Sequence, residues 1–78
     1  MARVLLFGRL ADIAGWRERT VEGASLADLR AALSADPDLA GALAGKGVQV
    51  AVDKVIVRGE AALTATSEVA FMPPMSGG

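Results

Sequence analysis

The sequence predicts an α+β roll: a mixed sheet of about five strands packed on one main helix, with an extended C-terminal tail. Three observations carry that reading. Segments 4–7, 17–22, 48–52, 55–57 and 68–72 are short, apolar or alternating, and bounded by glycine, proline or charged turns, which is the pattern of strands. One strong helical stripe begins at Ser25. A long helical connection separates the first strand from the last, so these two can lie side by side in parallel.

Val4-Leu5-Leu6-Phe7, closed by Gly8, is almost wholly apolar and reads as a central strand buried on both faces. Between Gly8 and Gly15, Leu10, Ile13 and Ala14 recur at helical spacing, which gives one short helical turn ended by Gly15. The charged run Arg17-Glu18-Arg19-Thr20-Val21-Glu22 is β-compatible and forms a second strand, solvated on one face and hairpin-like with the first. Ser25 caps the main helix, and Asp28 supplies an Asp variant of the capping box that also suits the helix dipole. Leu26, Leu29, Ala32 and Leu33 make its inward stripe, and it should end near Ala35. Asp36 and Pro37 start a second, short helix with Leu39 and Leu43 inward and Gly45 or Gly47 as its stop. Strands at 48–52 and 55–57 flank an Asp53-Lys54 turn, Leu63 anchors the connection 61–67, and 68–72 is the last strand. With the first strand central, the whole is a roll of the β-grasp kind.

At 78 residues the chain is one domain. A chain this short buries only somewhat over ~60% of its unfolded surface, so its stability margin is thin. A hydrophobic content of 53% suits a packed globule. Eight basic and nine acidic residues leave a net charge of −1 without a basic run, so a nucleic-acid partner is not expected. Cysteine and histidine are both absent, which removes disulfides, a thiolate nucleophile, the commonest neutral-pH base and the commonest metal ligands. No apolar run approaches the ~20 residues of a membrane span, and the opening residues are not organised as a signal peptide, so a cytoplasmic protein is expected.

The informative stretch is Phe71-Met72-Pro73-Pro74-Met75-Ser76-Gly77-Gly78. Two prolines lock their own φ and donate no N–H, so a strand cannot continue past Pro73. A body at 1–72 and a protruding Gly-Gly tail at 73–78, extended and semi-stiff, follow from that. The two glycines would let a partner's walls approach the backbone closely.

With this layout and this ending, the chain resembles the small sulfur-carrier subunit of molybdopterin synthase, a member of the ubiquitin-like β-grasp superfamily. That family typically ends in a strand, a Phe/Pro-Pro segment, a small apolar residue, Ser or Thr, and Gly-Gly. Val4-Leu5-Leu6-Phe7-Gly8-Arg9-Leu10-Ala11 is similar to the family's first strand and turn, and Val50-Ala51-Val52-Asp53 to a later strand. Ala65-Thr66-Ser67 stands where the family usually has an Asp-Gly-Asp-like turn, so that tight turn must adopt another geometry or be less stable.

The resemblance implies a role for each tail residue. An α-carboxylate is ionised at neutral pH and a poor electrophile. An E1-like activating enzyme would use ATP to adenylate Gly78, and a persulfide sulfur would displace AMP to leave a thiocarboxylate. The carrier itself would hold no permanent cofactor and no metal. The large subunit of molybdopterin synthase, in a heterotetramer, would take the tail into its active site, where sulfur passes to a cyclic pterin precursor. Gly78 is then the reacting residue, while Gly77, Ser76, Met75, Pro74 and Pro73 insert. Phe71 and Met72 are placed as partner contacts, with core packing an equal reading for Phe71. Arg17, Glu18 and Arg19 read as a solvated face, and Asp36 and Asp38 as helix-start residues. The carrier would not catalyse by itself. The competing readings are a carrier for thiazole synthesis or tRNA thiolation, a ubiquitin-like modifier joined to lysines through Gly78, and an interaction module with an inert tail.

Overall fold

The computed structural model describes residues 1–74. Its elements, in chain order, are β1 (Ala2–Leu6), α1 (Arg9–Ala14), β2 (Glu18–Val21), α2 (Leu26–Leu33), α3 (Pro37–Leu43), β3 (Gln49–Val52), β4 (Val55–Val57) and β5 (Glu68–Met72). The five strands make one mixed sheet in the order β2-β1-β5-β3-β4. β1 pairs with β2 antiparallel and with β5 in parallel, from Arg3↔Glu68 to Leu6↔Phe71. β3 is antiparallel to both β5 and β4. The α+β layout and the parallel first-to-last pairing are as the sequence leads one to expect, but β5 holds the middle of the sheet and β1 lies beside it.

The inner face of the sheet and the helices share one core. Phe71, Leu10, Leu29, Leu39, Val4 and Val69 are its largest fully buried side chains. Each such side chain contributes roughly 1.5–3 kcal/mol by leaving water, an upper estimate because real unfolded chains already bury part of it. β1 alternates: Ala2, Val4 and Leu6 are buried, while Arg3 and Phe7 are exposed and Leu5 is half-buried. The expectation of a strand buried on both faces is therefore corrected. Helices cover only one side, and the unbroken apolar run hides a period-two pattern.

Local chemistry accounts for the helix limits. In α1, Leu10 is buried and Ala14 packs against the core as expected, but Ala11 takes the inward place given to Ile13, which is left exposed. Gly15 closes the helix at φ +83°, the left-handed conformation of a C-terminal glycine. At the start of α2 the Ser25 hydroxyl accepts from the Asp28 N–H, and the Asp28 carboxylate accepts from the N–H of Ala24. The Leu26 N–H donates to the Ala61 carbonyl and the Ala27 N–H to the Glu60 carboxylate, so the first turn leaves no orphan donor at these positions. α2 stops at Leu33, two residues before the expected limit, where Ser34 turns its hydroxyl onto the Ala31 carbonyl. Ala32 is exposed and drops out of the inward stripe. Asp36 caps α3 through the N–H groups of Asp38 and Leu39, with Pro37 at the first turn.

Two turns depart from glycine-based geometry. Asp53 and Lys54 both have positive φ, 50° and 71°, which brings the β3–β4 hairpin round in two residues. Asp53 is held there from both sides: its N–H donates to the Glu68 carbonyl at 2.8 Å, and its carboxylate accepts from the Glu68 N–H at 2.9 Å. In the 64–67 turn, the Ser67 hydroxyl accepts from the Thr64 N–H at 2.8 Å while the Ser67 N–H returns to the Thr64 carbonyl. Among the described residues Ser67 is the buried polar one, 3% exposed. Its side chain takes the place of a glycine-dependent turn. Replacing Ser67 by Ala is expected to lower the unfolding free energy by about 1–2 kcal/mol through the lost acceptor. Thr66→Ala, at an exposed hydroxyl, should cost no more than ~0.5 kcal/mol; urea unfolding followed by Trp16 fluorescence measures both.

Candidate functional site

β5 carries the chain out of the sheet, and its alternation sorts the residues before the tail onto two faces. Val69 and Phe71 point into the core, while Glu68, Ala70 and Met72 are half-buried on the opposite side. Phe71 is 0% exposed, and the Arg30 guanidinium of α2 lies 5.5 Å from its ring centroid. The partner-contact role given to Phe71 is thus corrected: it is a packing residue, because the inward face of the central strand is wholly covered. Met72 keeps an open position.

The strand register extends this outer face across the sheet. Directly paired residues share a face, so Leu5, Ala70, Ala51 and Ile56 form one row over β1, β5, β3 and β4. Met72, opposite Gln49, forms the next row on the side from which the tail departs. On the far side Arg3 bridges Glu18 at 3.3 Å and Glu68 at 2.6 Å. Ile56 and Phe7 remain 46% and 48% exposed. The result is an apolar strip bounded by a charged row and continuous with the base of the tail, the form expected of a recognition surface. Sequence reading missed Leu5, Phe7 and Ile56 as surface residues. Each of the three has apolar neighbours in its own strand-like run, so no change of polarity marks the outward face.

Pro73 and Pro74 are half-buried and lie against the body, with Gly8 and Gly47 as neighbours. Gly8, read above as a strand terminator only, is therefore also part of the tail's seat. The Phe7 N–H donates to the Phe71 carbonyl at 3.2 Å, a last strand-like bond before the prolines. Met75, Ser76, Gly77 and Gly78, which carry the reacting and inserting roles expected from the sequence, lie outside the described residues. Arg17, Glu18 and Arg19 are exposed, with the Arg19 guanidinium 4.6 Å from the Trp16 ring centroid. Among the described residues no group of three or more carboxylate, His or Cys positions is placed to hold a metal ion, and no helix is long and apolar enough to cross a membrane.

A family model described as the ThiS family matches residues 4–78. Among solved structures, the small archaeal modifier protein 1 of Haloferax volcanii is similar over 99% of this chain and 98% of its own, at 31% identity and a TM-score of 0.81. A second crystal structure of that protein matches at 28% identity over 95% and 97% of the two chains, with a TM-score of 0.79. The solution structure of the small archaeal modifier protein 1 of Methanosarcina acetivorans, at 23% identity, shares the fold with a TM-score of 0.84 over 99% and 95%. No curated protein matches the sequence. The architecture is the ubiquitin-like β-grasp. The division of labour along β5 is open to direct measurement by equilibrium unfolding. Phe71→Ala should lose about 3–5 kcal/mol by opening a cavity in the core. Met72→Ala, on the outer face, should lose roughly 1 kcal/mol or less.

Proposed function

Because the chain belongs to the ThiS family, we propose that it is a sulfur carrier of molybdenum-cofactor synthesis, working in the cytoplasm through a thiocarboxylate on Gly78. The observation that carries this reading is the position of β5. The central strand, paired on both sides, runs directly into Pro73 and Pro74. An activating enzyme uses ATP to form the Gly78 acyl-adenylate; the terminal sulfur of a donor persulfide displaces AMP to give an acyl disulfide, and a donor-side thiol cleaves its S–S bond, releasing the Gly78 thiocarboxylate and leaving the donor as a disulfide. The thiocarboxylate then enters the large subunit of molybdopterin synthase, which holds the cyclic pterin precursor and the catalytic residues. The Phe/Pro-Pro pattern ahead of Gly-Gly favours this pathway over thiazole synthesis or tRNA thiolation.

The strip formed by Leu5, Ala70, Ile56 and Met72 is the docking surface in this reading. It stands next to the tail base, so one partner can hold the sheet and take the tail together. Two successive partners would use the same apolar contacts, and the adaptable thioether of Met72 suits that double use.

A second reading has support of its own. The similar solved structures are of proteins described as small archaeal modifiers. A modifier would use the same adenylate but pass Gly78 to a lysine amine instead of accepting sulfur.

The deciding measurement is the intact mass of the protein after incubation with ATP, a sulfur donor and an activating enzyme. Exchange of one oxygen for sulfur, reversed on adding pterin precursor and large subunit, is the expected outcome. The same gain without reversal moves the protein to another sulfur pathway, and high-mass lysine adducts in lysate establish the modifier. Deleting Gly78, or adding one residue after it, should abolish the mass gain with the melting temperature unchanged. Ile56→Asp should leave folding within ~0.5 kcal/mol of wild type. It should raise KM for the activating enzyme about tenfold, equivalent to roughly 1.4 kcal/mol of lost contact.

A further inference from the structure

We propose that Gly8 and Gly47 are positioning residues for the tail: together they seat Pro73 and Pro74, and so set the heading with which the chain leaves the body. The inference rests on the carrier reading above, in which a partner must accept the end of that tail in a narrow site.

The two glycines come from distant parts of the sequence. Gly8 lies just after β1 and Gly47 just before β3, and β1 and β3 are the two neighbours of β5. They therefore flank the strand that ends at Met72. An ideal Cβ on Gly8 would lie 2.9 Å from Pro73 Cγ and 3.7 Å from Pro73 Cδ. One on Gly47 would lie 2.7 Å from Pro74 Cβ, 3.5 Å from Cγ and 3.6 Å from Cα. Carbon atoms are in best contact at about 3.5–4.0 Å, so each proline occupies room that a side chain would claim.

Both glycines also have positive φ, +57° and +83°. Turn geometry alone would require glycine there, and the chain contains the control for that explanation. Gly15 has the same φ as Gly47, +83°, and Gly59 has +109°, yet a Cβ on either would meet nothing within 4 Å. Gly8 and Gly47 thus differ from Gly15 and Gly59 in what they touch, and both touch the tail.

Seating consecutive prolines has a consequence that seating other residues would not. Each proline has its φ locked, so fixing the two rings leaves few torsions by which the chain can change direction. The heading of the chain at Pro74 is set before any partner binds, which lowers the ordering cost at the partner's site. Docking of the sheet face governs KM, while the aim of the tail governs how often a docked carrier reacts.

The experiment compares Gly47→Ala with Gly15→Ala, which impose the same φ on alanine. Thiocarboxylate formation by the activating enzyme is followed at varied carrier concentration, together with amide chemical shifts of Ser76, Gly77 and Gly78. Gly47→Ala is expected to lower kcat about tenfold or more with KM changed less than about twofold, and to shift all three amides. Gly15→Ala should leave kcat and those amides at wild-type values. Gly8→Ala should behave as Gly47→Ala, because its Cβ would strike the ring of Pro73. Equal kcat in wild type and Gly47→Ala, or an equal fall in Gly15→Ala, overturns the proposal. If wild type itself gains no sulfur, the carrier reading falls. The amide shifts then still decide: shifts in Gly47→Ala that stop short of Ser76 overturn the seating as well. Should Gly47→Ala fail to fold, Pro73→Ala with both glycines intact is the substitute, with the same fall in kcat expected and a wild-type kcat overturning it.

Discussion

The parallel pairing of β1 with β5 is the constraint on which the rest of this protein depends. It joins segments 65 residues apart, from the Arg3–Glu68 ion pair to the Leu6↔Phe71 register, and is closed at its ends by Arg3 N–H to Ser67 and Phe7 N–H to Phe71. A parallel neighbour cannot be reached by a hairpin, so everything between the two strands serves as the crossover. The helices α2 and α3 supply Leu26, Leu29, Leu33, Leu39 and Leu43 to the face that the pairing creates. Entropy lost in closing so long a loop grows only slowly with its length, and burial of Val4, Leu6, Val69 and Phe71 repays it locally.

That pairing also separates stability from recognition. Adjacent residues of one strand serve opposite ends: Phe71 is sealed under α2, and Met72 faces outward beside the proline seat. The sheet's outer face can therefore be apolar without belonging to the core. Surface ion pairs such as Arg3 with Glu18 and Glu68 add little to stability in this setting; they border the apolar strip and limit where a partner can sit.

Much of this was legible in the sequence, and the exceptions have physical causes. The caps at Ser25 and Asp36, the glycine stop at Gly15, the Asp53-Lys54 turn and the inward Leu63 follow from local chemistry, which acts over a few residues. The fold class followed from element order. What escaped reading depends on tertiary placement. Val4-Leu5-Leu6-Phe7 looks uniformly apolar, and only the one-sided stacking of helices reveals that Leu5 and Phe7 face outward. Phe71 was ambiguous for the same reason. The pairing of Gly8 with Pro73 and of Gly47 with Pro74 joins residues 65 and 27 positions apart, beyond any local motif. The glutamate that completes the first turn of α2, Glu60, likewise lies 33 residues from its partner. At 64–67 the absent glycine was visible, but the serine that replaces its function was not.

The place of β5 in the sheet has one more consequence, concerning biosynthesis. Both β1 and β3 need β5 as their shared neighbour, yet β5 is the last strand of the domain to leave the ribosome. Helices can form and collapse as they emerge, but the sheet cannot close until Met72 is free. A product truncated before β5 lacks its middle strand, along with Val69 and Phe71 of the core. Folding of the domain is thereby coupled to synthesis through Met72: a chain that has acquired its tertiary structure already possesses the seat at Gly8 and Gly47 for Pro73 and Pro74.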